Sequence, residues 1–377
     1  MSHFTQPHLG ILCLSKSLGG LELNTIRFAE WLKQRGWKLT LFLLPDTPIA
    51  EKAVQKNLPV SYTNKSFKYF DIWNASKLAK QIDAENIEIL LFTNNKDTSM
   101  VAWVKGFCKK LKVIYQQQMQ IGVSKKDLLH TLRFGIIDAW ISPLKWLANE
   151  VSEKTKYNPD KVHIIPLGTE LDKFIENDYT RASARKELQL SANTRIIGIL
   201  GRIDPHKGQD FLIKAVHYLN TELNEDVELL IMGEPTRDAT EEYLPYLKQL
   251  VEDLGMSQKI HFRNFTEKPE IFYKAIDVFG MASVNETFGM VTIEAMASGV
   301  PVVATASGSN PELLRKGGLG FLYQPGNLQE FAICVKQCFD NPRRMKRFGE
   351  LAKREAQRKY SHTRQCQHTE QLIWQIL

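Results

Sequence analysis

The sequence predicts an α/β chain of two doubly wound units, each a mostly parallel sheet wrapped by helices, and three observations carry that expectation. Strand-like apolar runs alternate with helix-length segments along nearly the whole chain, the alternation restarts near residue 195, and 377 residues exceed what one hydrophobic core ordinarily serves. Parallel strands cannot be joined by tight turns and need crossover helices, so this alternation is what a parallel sheet looks like in sequence.

The elements follow in order. "LGILCLS" (9–15) reads as a buried strand, "LGG" as a glycine loop, and "LELNTIRFAEWLKQR" as an amphipathic helix stopped by Gly36. Strands "KLTLFLL", "IEILLFT" and "KVIYQQQ" come next, and "DLLHTLRF" reads as a helix. The second alternation runs through strand "RIIGILGR", helix "KGQDFLIKAVHYLN", strand "VELLIMG", helix "EEYLPYLKQLVEDLG", strand "KIHFRNF", helix "KPEIFYKAI" and strand "DVFGMAS". In "SVNETFGMVTIEAMASGVPVVAT" (283–305), a loop leads into a helix that begins near Gly289 and stops at Gly299, before a short β-branched strand. Helices "NLQEFAICVKQCFD", "NPRRMKRFGELAKREAQRKY" and "SHTRQCQHTEQLIWQIL" close the chain. The expected domains are 1–167, a linker at 168–194, a second unit at 195–345, and C-terminal helices at 346–377 that cross back to the first.

Composition narrows the class. Hydrophobic content of 43% and charged content of 24% are those of a soluble globular protein, and no apolar run reaches the roughly 18 residues that would span a bilayer. The opening "MSHFTQPHLGILCLS" has too short an apolar stretch for a secretory leader and lacks a basic start. Five scattered cysteines, an odd number, point to a reducing compartment, and the expected location is cytoplasmic. Cys334 and Cys338 share a helix face as packed thiols, with no neighbouring ligands for a metal.

The net charge of +7 is uneven. Residues 1–167 hold 23 Lys and Arg against 14 Asp and Glu, whereas the remainder hold 26 against 28. The densest part is Lys105, Lys109, Lys110, Lys112, Lys125, Lys126 and Arg133, opposed only by Asp127 and interleaved with Phe107, Ile121, Leu128, Leu129 and Phe134. It is either a solvated surface or an attraction for an anionic partner, a lipid headgroup or a phosphorylated acceptor at the inner face of a membrane. No nucleic-acid motif accompanies it.

Three stretches carry candidate chemistry. "GRIDPHKGQ" sets Gly201, Arg202, Lys207 and Gly208 between a strand and a helix, where two cations and helix amides suit a diphosphate; the alternative is a solvated turn. The spacing fits neither a Walker loop nor a dinucleotide fingerprint. In the second stretch, amides at Phe288, Gly289, Met290 and Val291 open a helix, Glu294 lies on its second turn, and Glu286 stands ahead of it. Glu294 is either a solvated helix glutamate or, as the flanking apolar residues favour, a buried carboxylate that needs a partner. Gly19 and Gly20 form the third stretch, either a plain turn or a place where backbone meets a ligand.

Together, "GRIDPHKG" and, about eighty residues on, "ASVNETFGMVTIEAMASGVPVVATASGSNPELL" resemble the retaining glycosyltransferases of family 4, whose mark is two glutamates with seven residues between them. "IIPLGTELDKF" resembles that family's Pro-Asn-Gly-Val-Asp…Phe segment, with Leu167, Thr169 and Glu170 departing from it. The resemblance implies the GT-B fold, with two Rossmann-like domains facing across a cleft. It also implies a nucleoside-diphosphate sugar donor, UDP-sugar or GDP-sugar, and a glycan or lipid-linked acceptor. Carried over, Arg202 and Lys207 hold the diphosphate with the amides of Phe288 to Val291, Glu294 the ribose, and Glu286 the transferred sugar. Gly19 and Gly20 match the family's glycine loop, and Arg263 and Asn264 fall beside the base. Met281 and Ala282 replace common Leu and Pro, and Ser309-Asn310 interrupts a usual Gly-Gly pair. At the end of "KVIYQQQMQ" the family commonly has histidine, where this chain has Gln118.

The implied mechanism retains anomeric configuration, with the leaving diphosphate helping to deprotonate the acceptor. No Asp-x-Asp occurs in the chain, so the Arg/Lys pair takes the place of a metal, and no cofactor is expected. Two readings compete with it: an epimerase or phosphorylase of the same two-domain shape, the latter needing a lysine-held pyridoxal cofactor in a much longer chain, and a catalytically impaired protein that binds nucleotide-sugar or anionic glycan.

Overall fold

In the computed structural model, residues 6–235 and 242–377 are described. Met1–Thr5 of the opening stretch and Glu241 of the expected helix "EEYLPYLKQLVEDLG" lie outside them. The chain divides into two compact units, Met1–Gly168 with His362–Leu377, and Thr169–Ser361.

The first unit is built on seven parallel strands: β1 (His8–Cys13), β2 (Leu39–Leu43), β3 (Val60–Tyr62), β4 (Ile87–Phe92), β5 (Lys112–Gln116), β6 (Ala139–Ser142) and β7 (Val162–Ile164), in the order β3-β2-β1-β4-β5-β6-β7. Every residue of β1 is buried, because helices cover both faces of a parallel sheet; this is why "LGILC" reads as a continuous apolar run. β3, β6 and β7, only three or four residues long, fell below what the apolar pattern reveals. The second unit has six parallel strands: β8 (Arg195–Leu200), β9 (Val227–Met232), β10 (Ile260–Arg263), β11 (Val278–Met281), β12 (Val302–Thr305) and β13 (Phe321–Tyr323), ordered β10-β9-β8-β11-β12-β13. Strand order reverses between β1 and β4 and again between β8 and β11, the switch points where open α/β sheets leave a crevice beyond their carboxyl ends.

Residues 169–194 are packed rather than strung out as a linker. They carry helices Asp172–Ile175 and Arg181–Glu187, and Arg185, 1% exposed, pairs with Asp277 and donates to the carbonyls of Ala275, Ser191, Ala192 and Thr194. The closing helices also separate. Pro342–Tyr360 stays with the second unit, burying Met345, Ala352, Ala356 and Tyr360, and Gly349 lies so close to Gly299 that a Cβ would sit 2.3 Å from its carbonyl oxygen. His362–Ile376 joins the first unit, where Cys366, Leu372 and Ile373 enter the core with Trp31 and Leu32.

All five cysteines are free and buried, and burial pushes the Cys13 thiol up to about 12, so these are packing groups. Among the described residues no helix is long and apolar enough to cross a membrane, and no cluster of His, Cys, Asp or Glu could hold a metal.

The last helix is fastened by Glu370, which accepts from Arg35 Nε at 2.6 Å, Arg35 Nη2 at 2.6 Å and Trp37 Nε1 at 3.0 Å. Burial pushes its carboxyl up, but the hydrogen bonds from Arg35 and Trp37 outweigh burial and hold it below the ordinary glutamate value. A lowered folded-state pKa gives stability that is complete above the unfolded value and is lost as pH falls through the folded one. Glu370→Gln is therefore expected to cost about 1 kcal/mol at neutral pH, given partly exposed partners. Its melting temperature should converge on that of the parent as pH drops through and below the ordinary glutamate range, and a difference independent of pH would contradict the assignment.

Candidate active site at the carboxyl edge of the second sheet

β8 runs into a loop that ends in the short 3-10 turn Pro205–Lys207, and Asp204 caps that turn by accepting from the His206 amide at 2.9 Å. Gly208 closes it at φ +74, where a Cβ would lie 2.7 Å from the Ala282 Cβ beyond β11; only glycine lets the loop press against that strand end. Gln209, fully buried, donates from Nε2 to the Arg202 carbonyl at 2.8 Å and fixes the start of the loop. Across the switch point, the loop after β11 carries Glu286. Lys207 Nζ donates to Glu286 Oε2 at 2.7 Å, joining two groups 79 residues apart in sequence.

These residues line a cavity of about 620 Å³, with Arg202, Lys207, Glu286 and Thr287 on its wall. Arg202 is largely exposed, its side chain 60% accessible and its guanidinium 3.9 Å from Asp204. A second acid, Asp210, is engaged by the Tyr243 hydroxyl at 3.0 Å. The exposed cation of the site is therefore Arg202, and Lys207 is the one held closely by a carboxylate.

The helix Met290–Ala297 starts behind Gly289, in the left-handed conformation at φ +80. Its first amides, at Met290 and Val291, lie in the turn where a helix leaves donors without an intrahelical acceptor. Phe288 is buried against Tyr360 and anchors that end. Glu294 lies on the second turn, and the hydroxyl of fully buried Tyr273 is 3.0 Å from its Oε2 and 2.9 Å from the Val291 carbonyl. Burial, reinforced by Glu294, raises the Tyr273 phenol far above its ordinary value, so Tyr273 is a permanent donor.

Arg263 places its guanidinium away from open space: it donates to the carbonyls of Leu188, Phe262 and Gln189 at 2.7, 2.8 and 3.1 Å. Its neighbour Asn264 is exposed at the end of β10. What this strand end offers a ligand is therefore Asn264 and backbone.

The remaining candidates sit in the first unit. The Gly19 amide donates to Glu22 Oε2 at 2.8 Å, and Glu22 also accepts from Ser15 at 2.5 Å and Ser17 at 3.1 Å, so a buried carboxylate shapes the loop. A Cβ on Gly20 would meet nothing within 4 Å, and Gly20 lacks a positive φ. Nothing inside this unit requires the second glycine, which leaves open space over the backbone. Gln118 accepts from Asn24 Nδ2 at 3.2 Å, while its own Nε2 is buried without a partner. His130 bonds Asp127 at 2.6 Å.

The model for Glycosyl transferases group 1 matches residues 180–355, and that for Glycosyltransferase Family 4 matches 18–173. The chain belongs to the family 4 glycosyltransferases. Among curated relatives of this family member, a D-inositol 3-phosphate glycosyltransferase of Stackebrandtia nassauensis is 32% identical over 233 residues, 60% of this chain and 52% of that protein. One of Streptomyces bingchenggensis is 33% identical over 229 residues, 59% and 50% of the two chains. The chain spans about half the length of these relatives. Among solved structures, HepE of Anabaena in complex with UDP superposes with a TM-score of 0.85 at 20% identity, covering 98% of this chain and all of that one (100%). A glycosyltransferase from Rickettsia africae ESF-5 gives 0.89 at 20% identity, covering 99% of each. These likenesses establish the fold, two Rossmann-like domains of the GT-B type.

Sequence reasoning missed what holds Glu286 in place. Thr305 Oγ1 donates to the Ser283 carbonyl at 2.6 Å, Ser307 Oγ to the Val284 carbonyl, and the Ser309 amide to the Glu286 carbonyl at 3.0 Å. Gly308 makes this possible at φ +58: a Cβ there would lie 2.5 Å from the Glu286 carbonyl oxygen. The "TASGS" run after β12 was the available signal. Gly308→Ala is expected to cost more than about 1 kcal/mol, since strain and clash add. It should also shift the Glu286 loop, and a melting temperature equal to the parent's would show that the loop has slack.

Proposed function

We propose that this family member is a retaining hexosyltransferase that moves a sugar from a nucleoside-diphosphate sugar to a glycan, lipid-linked or small-molecule acceptor without a metal. The observation that carries the reading is the Lys207–Glu286 pair beside Arg202 at the second sheet's switch point. The ammonium and the carboxylate neutralise each other. An incoming diphosphate draws Lys207 and Arg202 to its oxygens, with the amides of Phe288 to Val291 donating, and Glu286 is released to accept from sugar hydroxyls. Glu294, oriented by Tyr273, accepts from the ribose hydroxyls, and Asn264 with the backbone of Arg263 meets the base. Gly19 and Gly20 give the donor room to approach backbone.

The protein's work in this scheme is to stabilise negative charge on the departing diphosphate and to keep water from the sugar. UDP is the first nucleotide to test, since HepE was solved with UDP, and GDP is the competitor. The proposed location is cytoplasmic, with the basic first unit making peripheral contact with a membrane that carries the acceptor. A second reading rests on Gln118, a neutral amide at a position where the family commonly has histidine: a protein that binds nucleotide-sugar and transfers slowly or not at all.

Lys207→Ala is expected to lower kcat/KM for transfer by roughly 2 to 4 kcal/mol in the transition state, as for other lost oxyanion donors, and unchanged kinetics would remove Lys207 from the diphosphate site. Glu294→Gln should weaken nucleoside diphosphates while leaving pyrophosphate affinity unaltered, measured by thermal shift; equal losses would refute the ribose role. Turnover should persist in EDTA. Abolition by chelation, with rescue by magnesium or manganese, would overturn the metal-free scheme. Donor binding without product across a panel of acceptors would favour the binding protein.

A further inference from the structure

The structure divides the basic cluster that the sequence presents as one. Lys109, Lys110 and Lys112 line a cavity at the start of β5, together with Asp83 and Glu88. Lys125 and Arg133 follow the far end of β5, a strand that spans about 16 Å. There they meet cations brought from other loops. A cavity of about 630 Å³ at the carboxyl edge of the first sheet is lined by Lys65, Lys68, Lys96, Lys125, His130 and Arg133, and no Asp or Glu is among its lining residues.

Lys65 is already paired with Asp97 at 2.6 Å, and His130 is bonded to Asp127 at 2.6 Å. Lys68, Lys125 and Arg133 act on Tyr69. Lys68 Nζ lies 4.9 Å and Arg133 Cζ 5.2 Å from the centre of its ring, and a hydrogen bond from Lys68, with the charges of Lys68, Arg133 and Lys125, lowers its phenol. Arg133 is half-buried and its Nε is buried with no hydrogen-bond partner, a desolvated donor that an anion would satisfy.

Phe67 lines this cavity. Phe70 and Trp73, which follow it closely in sequence, and Leu128 and Leu132, on the helix Leu128–Gly135 that also carries His130 and Arg133, are 64 to 75% exposed. Exposed large apolar groups on the segments that build a cationic hollow match a bilayer surface, where aromatic rings settle at the headgroup level and cations meet phosphates. We propose that this face docks on a membrane containing anionic phospholipid, with one headgroup phosphate in the Lys68–Lys125–Arg133 cavity. The proposal rests on the peripheral contact in the functional reading above and names the surface that makes it.

The test is co-sedimentation of the full chain with phosphatidylcholine vesicles, with and without phosphatidylglycerol. Binding is expected only with phosphatidylglycerol, and it should weaken steeply with salt. Lys68→Glu with Lys125→Glu should reduce it by about tenfold or more, as two charges reversed near an anionic surface imply. Phe70→Ser with Trp73→Ser should reduce it as well, whereas Lys109→Glu with Lys110→Glu, at the opposite edge, should bind as the parent does. Melting temperatures confirm folding of each variant, and UDP thermal shifts follow the donor site separately, so a failure of the donor reading would appear there and not in sedimentation. Equal loss in the Lys109/Lys110 pair, or none in the Lys68/Lys125 pair, would overturn the proposal. So would a thermal shift from glycerol phosphate, lost in the Lys68/Lys125 pair, in a chain that ignores vesicles; that result would assign the cavity to a soluble phosphorylated ligand.

Discussion

Parallel pairing is the constraint on which everything else in this protein depends. All strand neighbours in both sheets run parallel. A parallel pair needs a crossover, so each strand ends on the same edge as its neighbours and each carboxyl-end loop opens toward the same side. Where strand order reverses, adjacent crossovers leave in opposite directions and their loops part. The loops after β8 and β11 part in this way, and Lys207 and Glu286 face one another in the opening at 2.7 Å. Neither residue has a left-handed backbone; Gly208 lets the loop after β8 press against the end of β11, and Gly308 lets the loop after β12 press against the backbone of Glu286.

How much of this the sequence discloses follows from the length and burial of each element. β1, β4, β8 and β9 are six residues each and almost wholly buried, so their apolar runs stand out. β3 and β7 have three residues each, none of them fully buried, and carry no such signal. The polar composition of 168–194 suggested a linker because Arg185 is satisfied mainly by backbone carbonyls, partners that leave no trace in residue identity. Arg263 shows the same limit from the other side: its position near the end of β10 was legible, but the three carbonyls that occupy its guanidinium were not. Lys207 and Glu286 could be singled out in the sequence by the glycines and helix starts beside them, and the structure brings the two together at 2.7 Å.

Charge in the first unit is organised by one buried group. Asp97, fully buried, accepts from Lys65 at 2.6 Å and from the Leu14 amide at 2.8 Å, so it ties the loop after β3 to the end of β1. Burial raises its carboxyl, while Lys65 and the Leu14 amide pull the other way. Leu14 lies a few residues ahead of the Gly19–Gly20 turn, and Lys65 ahead of Phe67, Lys68 and Tyr69. The segments that lead into the glycine loop and into the aromatic, cationic loop thereby share one buried anchor.

Gln118 sets the last limit on the chemistry. An amide neither gains nor loses a proton near neutral pH, and this one is oriented by Asn24 with its donor nitrogen buried and unpartnered. It can donate a hydrogen bond to an oxygen placed before it, and it cannot serve as a general acid or base. Under the proposed reading, proton transfer then falls to the leaving diphosphate, and charge stabilisation to Arg202, Lys207 and the amides that open the helix Met290–Ala297. A reaction whose negative charge develops on a departing diphosphate makes its largest electrostatic demand at that end of the substrate, and there the proposed reading sets an exposed guanidinium and an ammonium paired with a carboxylate. The departure from histidine falls where this division of labour requires the least.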